Sequence, residues 1–123
     1  MKIRIKGNSI RYRLTKSDIK NLEREGHLDE KTVFPNGAIF FYCLHHHNAI
    51  DEMEADFSDN CITIYIPDHI LAQWTGTNIV GFEHSMELQN GEKLNLLIEK
   101  DFACIDHTTE DQSDMYVNPN VVC

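Results

Sequence analysis

The pattern of hydrophobic and polar residues predicts a β-hairpin at the start of the chain. Apolar side chains occupy odd positions up to residue 5 and even positions from Ile10 to Leu14. A two-residue turn at Gly7-Asn8 accounts for this change of phase, because it pairs residues 2–6 with residues 9–14. A β-bulge within one longer strand accounts for it equally well. In both geometries one face of the element is apolar and the other is polar.

Further along the chain, the same periodicity and the turn residues predict six more strands and two short helices. The first helix follows Thr15 and ends at Gly26, and the second follows Pro67 and ends at Gly76. We find no internal repeat in the sequence. The fold class that follows is α+β, a mostly antiparallel β-sheet built of hairpins with two short α-helices. The further strands are predicted at residues 28–34, 38–45, 53–57, 62–66, 80–88 and 93–100.

Length and composition predict one soluble domain. The 123 residues, 41% hydrophobic and 25% charged, suffice for one hydrophobic core and match ordinary globular proteins. We therefore expect a single domain over residues 1–123, with a polar acidic tail from about residue 103. The chain shows neither a secretion signal nor a stretch long enough to cross a membrane. Its four cysteines are accordingly expected to be reduced, and the protein to be cytoplasmic.

Positive charge is concentrated near the amino terminus of an acidic protein. Nine of the eleven lysines and arginines lie within residues 1–31, whereas the formal net charge is −9. The acidic remainder repels nucleic acid and anionic membranes, so we expect neither as a partner. Five cations share the polar side of the amino-terminal hairpin, and we call this set the basic face: Lys2, Arg4, Lys6, Arg11 and Arg13.

Two interpretations fit the basic face. It can bind an anion, because arginine forms paired hydrogen bonds with phosphate or carboxylate groups. It can instead form an internal salt-bridge ladder with an acidic stripe, Glu52, Glu54 and Asp56, provided that both strands lie in one sheet. Under the first interpretation the partner is a small anion or an acidic protein surface, and the binding residues are Lys2, Arg4, Arg11 and Arg13.

Strand alternation also groups a set of metal-ligating residue types. It places Cys43, His45 and His47 on one side of a predicted strand, a combination of soft and borderline ligands that suits zinc. The three adjacent histidines are equally typical of a solvated loop between two strands. Spacing alone therefore does not distinguish a metal site from a loop at this position.

The acidic tail contains a second set of candidate zinc ligands. Cys104 and His107 have the Cys-x-x-His spacing of half a zinc site, and the distant Cys123 could complete it. Bound zinc would order a segment that has few apolar residues of its own. A zinc-organised protein, or a small enzyme that uses residues 104–123, is therefore the alternative to a binding module.

Two stretches of the sequence are distinctive. They are Ile-Lys-Gly-Asn-Ser-Ile-Arg-Tyr-Arg-Leu-Thr at residues 5–15 and Glu-Lys-Asp-Phe-x-Cys at residues 99–104. On these stretches the chain resembles a family of small uncharacterised bacterial proteins, and the resemblance covers nearly its full length. It implies a self-contained bacterial cytosolic protein. Because the family is a domain of unknown function, the resemblance implies no substrate, cofactor or mechanism.

The function that the sequence favours is a non-catalytic binding or interaction module. A glycine-rich phosphate loop, a Gly-x-Ser-x-Gly elbow and a His-Glu-x-x-His helix are all absent from the sequence. Catalytic residues are therefore not assigned, and no cofactor other than zinc in the tail is considered. The identity of the ligand and the oligomeric state remain open at this stage.

Overall fold

The computed structural model describes residues 1–102, 114 and 116 and confirms the α+β class. Every predicted strand and helix is present, and the ends differ from the predictions by at most one residue. The residues predicted to form a zinc site in the tail lie outside the described residues. The elements are β1 (Lys2–Lys6), β2 (Ser9–Leu14), α1 (Lys16–Glu25), β3 (His27–Val33), β4 (Ile39–His46), β5 (Glu54–Ser58), β6 (Cys61–Ile66), α2 (Asp68–Thr75), β7 (Gly81–Glu87) and β8 (Lys93–Lys100).

The strands form two four-stranded sheets, ordered β1-β2-β8-β7 (sheet A) and β3-β4-β6-β5 (sheet B). Each sheet contains two antiparallel hairpins that are joined at its centre by a parallel pair, β2 with β8 or β4 with β6. The prediction of mostly antiparallel pairing is therefore confirmed, although both sheets are mixed. At the amino terminus Ile5 lies opposite Ile10, so the turn at Gly7-Asn8 causes the change of phase and a bulge does not.

The two halves of the chain share one arrangement of strands. The orders β1-β2-α1-β3-β4 and β5-β6-α2-β7-β8 correspond, and exchanging the halves converts the strand order of one sheet into that of the other. Individual turn hydrogen bonds also repeat: Gly37 N–H donates to Phe34 O at 2.9 Å, and Gly91 N–H donates to Leu88 O at 3.1 Å. The sequence has no repeat of residue identities, and the correspondence of the two halves lies in their topology, turns and buried positions.

Corresponding positions of the two halves carry opposite charges. When the hairpin registers of β1-β2 and β5-β6 are matched, Lys2 corresponds to Glu54 and Arg4 corresponds to Asp56. The fold therefore does not require cations on the outer side of the β1-β2 hairpin, because the corresponding hairpin of the second half, β5-β6, has acids in the same places. The basic face is a property of the amino-terminal half alone.

One hydrophobic core receives side chains from both sheets and from both helices. Trp74 of α2 is completely buried, and its Nε1 donates to the carbonyl oxygen of Val80 at 3.1 Å. Tyr12 of β2 is also completely buried, and its hydroxyl donates to the carbonyl oxygen of Ile62 in sheet B at 3.0 Å. This contact ties the two sheets together, and the opposite side of each sheet is left for other contacts. Among the described residues, neither helix is long and apolar enough to cross a membrane.

Candidate functional site

The structure brings the five cations of the basic face to the outer side of sheet A. In the hairpin register Lys2 lies opposite Arg13, and Arg4 lies opposite Arg11. Directly opposed residues of an antiparallel pair share one side of the sheet. The intervening residues, such as Tyr12, point into the core. The geometric requirement of the anion-binding interpretation, a shared direction for these side chains, is therefore met.

Two carboxylates compensate part of the basic face. Glu99 of β8 accepts a hydrogen bond from Arg13 Nε at 2.7 Å and lies 3.6 Å from Arg11 Nε. The buried carboxylate of Asp101 lies 3.1 Å from Lys2 Nζ. The parallel pairing of β2 with β8 places Glu99 beside Arg13. A salt-bridge ladder therefore exists at the Arg13 end of the face.

The acids predicted to form that ladder are in the wrong place for it. Glu54 and Asp56 lie on β5, which is an edge strand of sheet B, and Glu52 precedes that strand. The prediction that this stripe compensates the basic face is therefore wrong. Periodicity correctly assigned the strand but carried no information about which sheet the strand joins.

The other end of the basic face is open. Among residues 1–102, 114 and 116, no carboxylate forms an ion pair with Arg4 or Lys6. These two side chains, together with Ser9 and Arg11, line a shallow groove of about 200 Å³. Like charges that face each other across an antiparallel pair repel, as Arg4 and Arg11 do here. An anion placed in this groove would remove that repulsion.

A second cluster of polar side chains lies on the outer side of sheet B. His27 and Asp29 of β3 lie directly opposite His45 and Cys43 of β4, so the four side chains form a two-by-two array. One Asp29 oxygen is 2.9 Å from His27 Nδ1, and the other is 3.3 Å from His45 Nε2. We call these four residues the sheet B cluster. Sequence reasoning found Cys43 and His45 but missed the two residues on β3, because the pairing of β3 with β4 supplies them.

Two free thiols, those of the buried Cys43 and the partly exposed Cys61, lie side by side at one edge of the sheet B cluster. Cys43 Sγ lies 3.0 Å from Cys61 Sγ of β6, and both cysteines are free. Burial raises the pKa of the Cys43 thiol, and hydrogen bonds with Cys61 and Asp29 raise it further. Partial burial of Asp29 opposes its ionisation, but hydrogen bonds from Cys43 and His45 and the nearby His27 hold the pKa of that carboxyl below its ordinary value. The carboxylate is thus the negative centre of the cluster.

His47 does not join this cluster. It follows the last residue of β4, and its ring contacts the ring of Tyr65 edge-on at a centroid distance of 5.9 Å. The prediction that alternation places Cys43 and His45 on one side is confirmed by the strand register. Instead of His47, the further members of the group are His27 and Asp29 of the neighbouring strand β3.

The model of a family of unknown function, DUF7009, matches residues 1–120. The chain belongs to the DUF7009 family. This confirms the resemblance to a domain of unknown function on which the sequence analysis drew. Neither a curated protein nor a solved structure is detectably similar to this DUF7009 chain. Its function must therefore be inferred from its own residues.

The predicted zinc ligands of the DUF7009 chain, Cys104, His107 and Cys123, lie outside the described residues. Two described residues show where part of this segment lies. Asp114 accepts hydrogen bonds from the first turn of α1, through its main-chain oxygen at 3.2 Å and its side chain at 3.3 Å. The ring of Tyr116 contacts the ring of Phe102 at a centroid distance of 5.9 Å. These contacts do not involve the basic face or the sheet B cluster.

Proposed function

We propose that this protein is a non-catalytic binding module whose basic face holds a small anion. The observation that supports the proposal is the uncompensated end of that face. Arg4 and Lys6 have no acidic partner among the described residues, and Arg11 shares its only described acid with Arg13. Converging cations with too few acids are stabilised by an anion from solution, because binding replaces their mutual repulsion with attraction.

The size and chemistry of the groove favour one anionic group over a large ligand. A volume of about 200 Å³ is smaller than the roughly 300–1,000 Å³ that is usual for drug-sized molecules. Guanidinium groups bind the oxygens of phosphate and carboxylate in pairs, and Lys6 adds a point charge. We therefore propose inorganic phosphate, or a phosphate or carboxylate group of a larger molecule, as the ligand.

We also propose a cellular compartment for this protein. The resemblance to a bacterial family and the two free thiols, Cys43 and Cys61, support a bacterial cytoplasmic protein. A phosphate group of a cytosolic metabolite would be available to the groove in that compartment. Fractionation of cells that produce the tagged protein would test this placement independently of any ligand.

The test compares two charge-matched double variants in a phosphate titration. Arg4→Gln/Lys6→Gln removes the two open cations, and Lys20→Gln/Arg24→Gln removes two cations of α1 as the control. Thermal unfolding is followed at low ionic strength, with chloride matching each phosphate concentration. A ligand at 100 times its dissociation constant adds about 2.7 kcal/mol. For a chain of this length that energy raises Tm by roughly 5–15 °C.

We expect phosphate to raise Tm in the wild type and in the α1 control, and to have little effect in the Arg4/Lys6 variant. The effect should weaken as chloride is raised, because salt screens exposed charges. An equal response of both double variants would contradict the proposal, and so would the absence of a response in the wild type. In either case the outward cations of β1 would be left with the role of protecting an edge strand from pairing with other chains.

A further inference from the structure

The sheet B cluster has the composition of a metal centre that is separate from the basic face. Within residues 1–102, 114 and 116, His27, Asp29 and His45 each offer one ligand atom that could bind a shared metal ion, since these three atoms all lie within 4.8 Å of one another. Cys43 completes the two-by-two array, because it lies directly opposite Asp29. We propose that these four residues bind one divalent ion of the zinc class on the outer side of sheet B.

Three of the four proposed ligand groups, His27, Asp29 and His45, lie close enough together to share one ion. Ligand atoms at the usual zinc distances of about 2.0–2.3 Å are roughly 3.3–3.7 Å apart when the arrangement is tetrahedral. The contacts of Asp29 with His27 Nδ1 and His45 Nε2, at 2.9 and 3.3 Å, are already in or near this range. The widest separation among these three residues, up to 4.8 Å, can close by side-chain rotation because both imidazoles are partly exposed.

The kinds of ligand atom in the cluster determine which metal ions it favours. Two imidazole nitrogens and one thiolate suit zinc, cobalt or copper, whereas calcium and magnesium require oxygen ligands. The Cys43 thiol must lose its proton to become a ligand, as in other zinc–cysteine sites. Cys61, 3.0 Å from Cys43, can donate a hydrogen bond to the bound thiolate and orient it.

The fold itself does not explain the cluster. In the second half of the chain, matching the registers of β3-β4 and β7-β8 places Gly81, Glu83, Leu97 and Glu99 at the corresponding positions. These residues provide no imidazole and no thiol, yet they support the same hairpin. The side chains of His27, Asp29 and His45 are about half exposed, at 51%, 49% and 41%. Exposed ion pairs of this kind contribute little to stability, so a ligand is the better explanation for their convergence.

Cobalt(II) binding to the EDTA-treated full-length chain tests the proposal. Cobalt reports a thiolate ligand through a charge-transfer absorption in the near ultraviolet, and a phosphine reductant keeps the thiols reduced. The variants are His45→Asn and Cys43→Ser within the cluster and Cys104→Ser in the tail. The matched control is His84→Asn, because His84 also pairs with one carboxylate, that of Glu52 at 3.5 Å. Circular dichroism of each variant establishes that it is folded.

We expect one cobalt ion per wild-type chain, displaced by an equivalent of zinc. His45→Asn should weaken binding at least tenfold, Cys43→Ser should abolish the charge-transfer band, and His84→Asn should change neither. If Cys43→Ser does not fold, Asp29→Asn replaces it, with loss of affinity as the expected result. Binding that survives His45→Asn but disappears with Cys104→Ser would place the metal in the tail and overturn the proposal. A wild-type chain that binds no cobalt would overturn it as well.

Discussion

Replacing Glu99 with glutamine removes the internal acid that competes with an anion for Arg11 and Arg13. Glu99 Oε1 lies 2.7 Å from Arg13 Nε and 3.6 Å from Arg11 Nε. Among the described residues, Glu99 is therefore the counter-charge that both arginines share. Glu99→Gln keeps the shape of the side chain and its ability to accept a hydrogen bond while it removes the charge. We expect the variant to bind phosphate more tightly and to be slightly less stable.

The magnitude follows from the distances. An anion that binds on the far side of the Arg11 guanidinium lies about 7 Å from the Glu99 carboxylate, twice the 3.6 Å of the ion pair. At that distance two unit charges repel by about 0.6 kcal/mol in water and by about 2.4 kcal/mol at an effective dielectric constant near 20. The dissociation constant for phosphate should therefore fall by a factor of roughly 3 to 50. The lost ion pairs are partly exposed and should cost about 0–1 kcal/mol of folding free energy.

Isothermal titration calorimetry with phosphate at low ionic strength measures the change in affinity, and urea unfolding without phosphate measures the change in stability. The two quantities should move in opposite senses, because Glu99 stabilises the free protein and opposes the anion. Unchanged or weaker phosphate binding by Glu99→Gln would refute the idea that the two arginines can be shared with a ligand. If the salt bridges of Glu99 have only a structural role, Glu99→Gln should lower the stability and leave the phosphate affinity unchanged.

Four substitutions test the packing that holds the two outer faces in place. Gly81→Ala should destabilise the protein by about 3 kcal/mol or more in urea unfolding, because a Cβ there would lie 2.2 Å from a main-chain oxygen of β8. Gly91→Ala, where φ is +83° but the space is open, should cost only about 1–2 kcal/mol. Tyr12→Phe removes the hydrogen bond to Ile62 in the other sheet and should cost about 1–2 kcal/mol by the same measurement. Lys100→Met should be neutral or stabilising, because burial lowers the pKa of this lysine and its described Nζ contacts are one carbonyl oxygen and an aromatic ring.

Local structure was predictable because adjacent residues determine it. The helix α1 begins where Thr15 and Asp18 form the expected capping box, with hydrogen bonds of 3.2 and 3.0 Å. It ends at Gly26, whose φ of 79° is the left-handed conformation that glycine favours. The registers of β1-β2 and β5-β6 were predictable for the same reason, since a two-residue turn leaves one way to pair its strands.

Pairings between hairpins were not predictable from the periodicity of one sequence. Alternation identifies the inner side of a strand but not the neighbour that the strand receives in the sheet. For this reason the acids Glu54 and Asp56 were assigned to the basic face, although Glu99 and Asp101 are its partners. The sheet B cluster was missed for a different reason, because it lies within the β3-β4 hairpin, whose five-residue turn between Val33 and Ile39 does not fix the register as a two-residue turn does. The repeat of the two halves was concealed because it is carried by topology rather than by residue identity.

The most direct test of anion binding at the basic face is a phosphate titration followed by amide resonances in two-dimensional NMR. If the basic face binds phosphate, we expect saturable shifts of amide resonances that cluster at Arg4, Lys6, Ser9 and Arg11. The resonances of β3 and β4 should be unchanged. Shifts that do not saturate, or that cluster on another surface of the described chain, would contradict it.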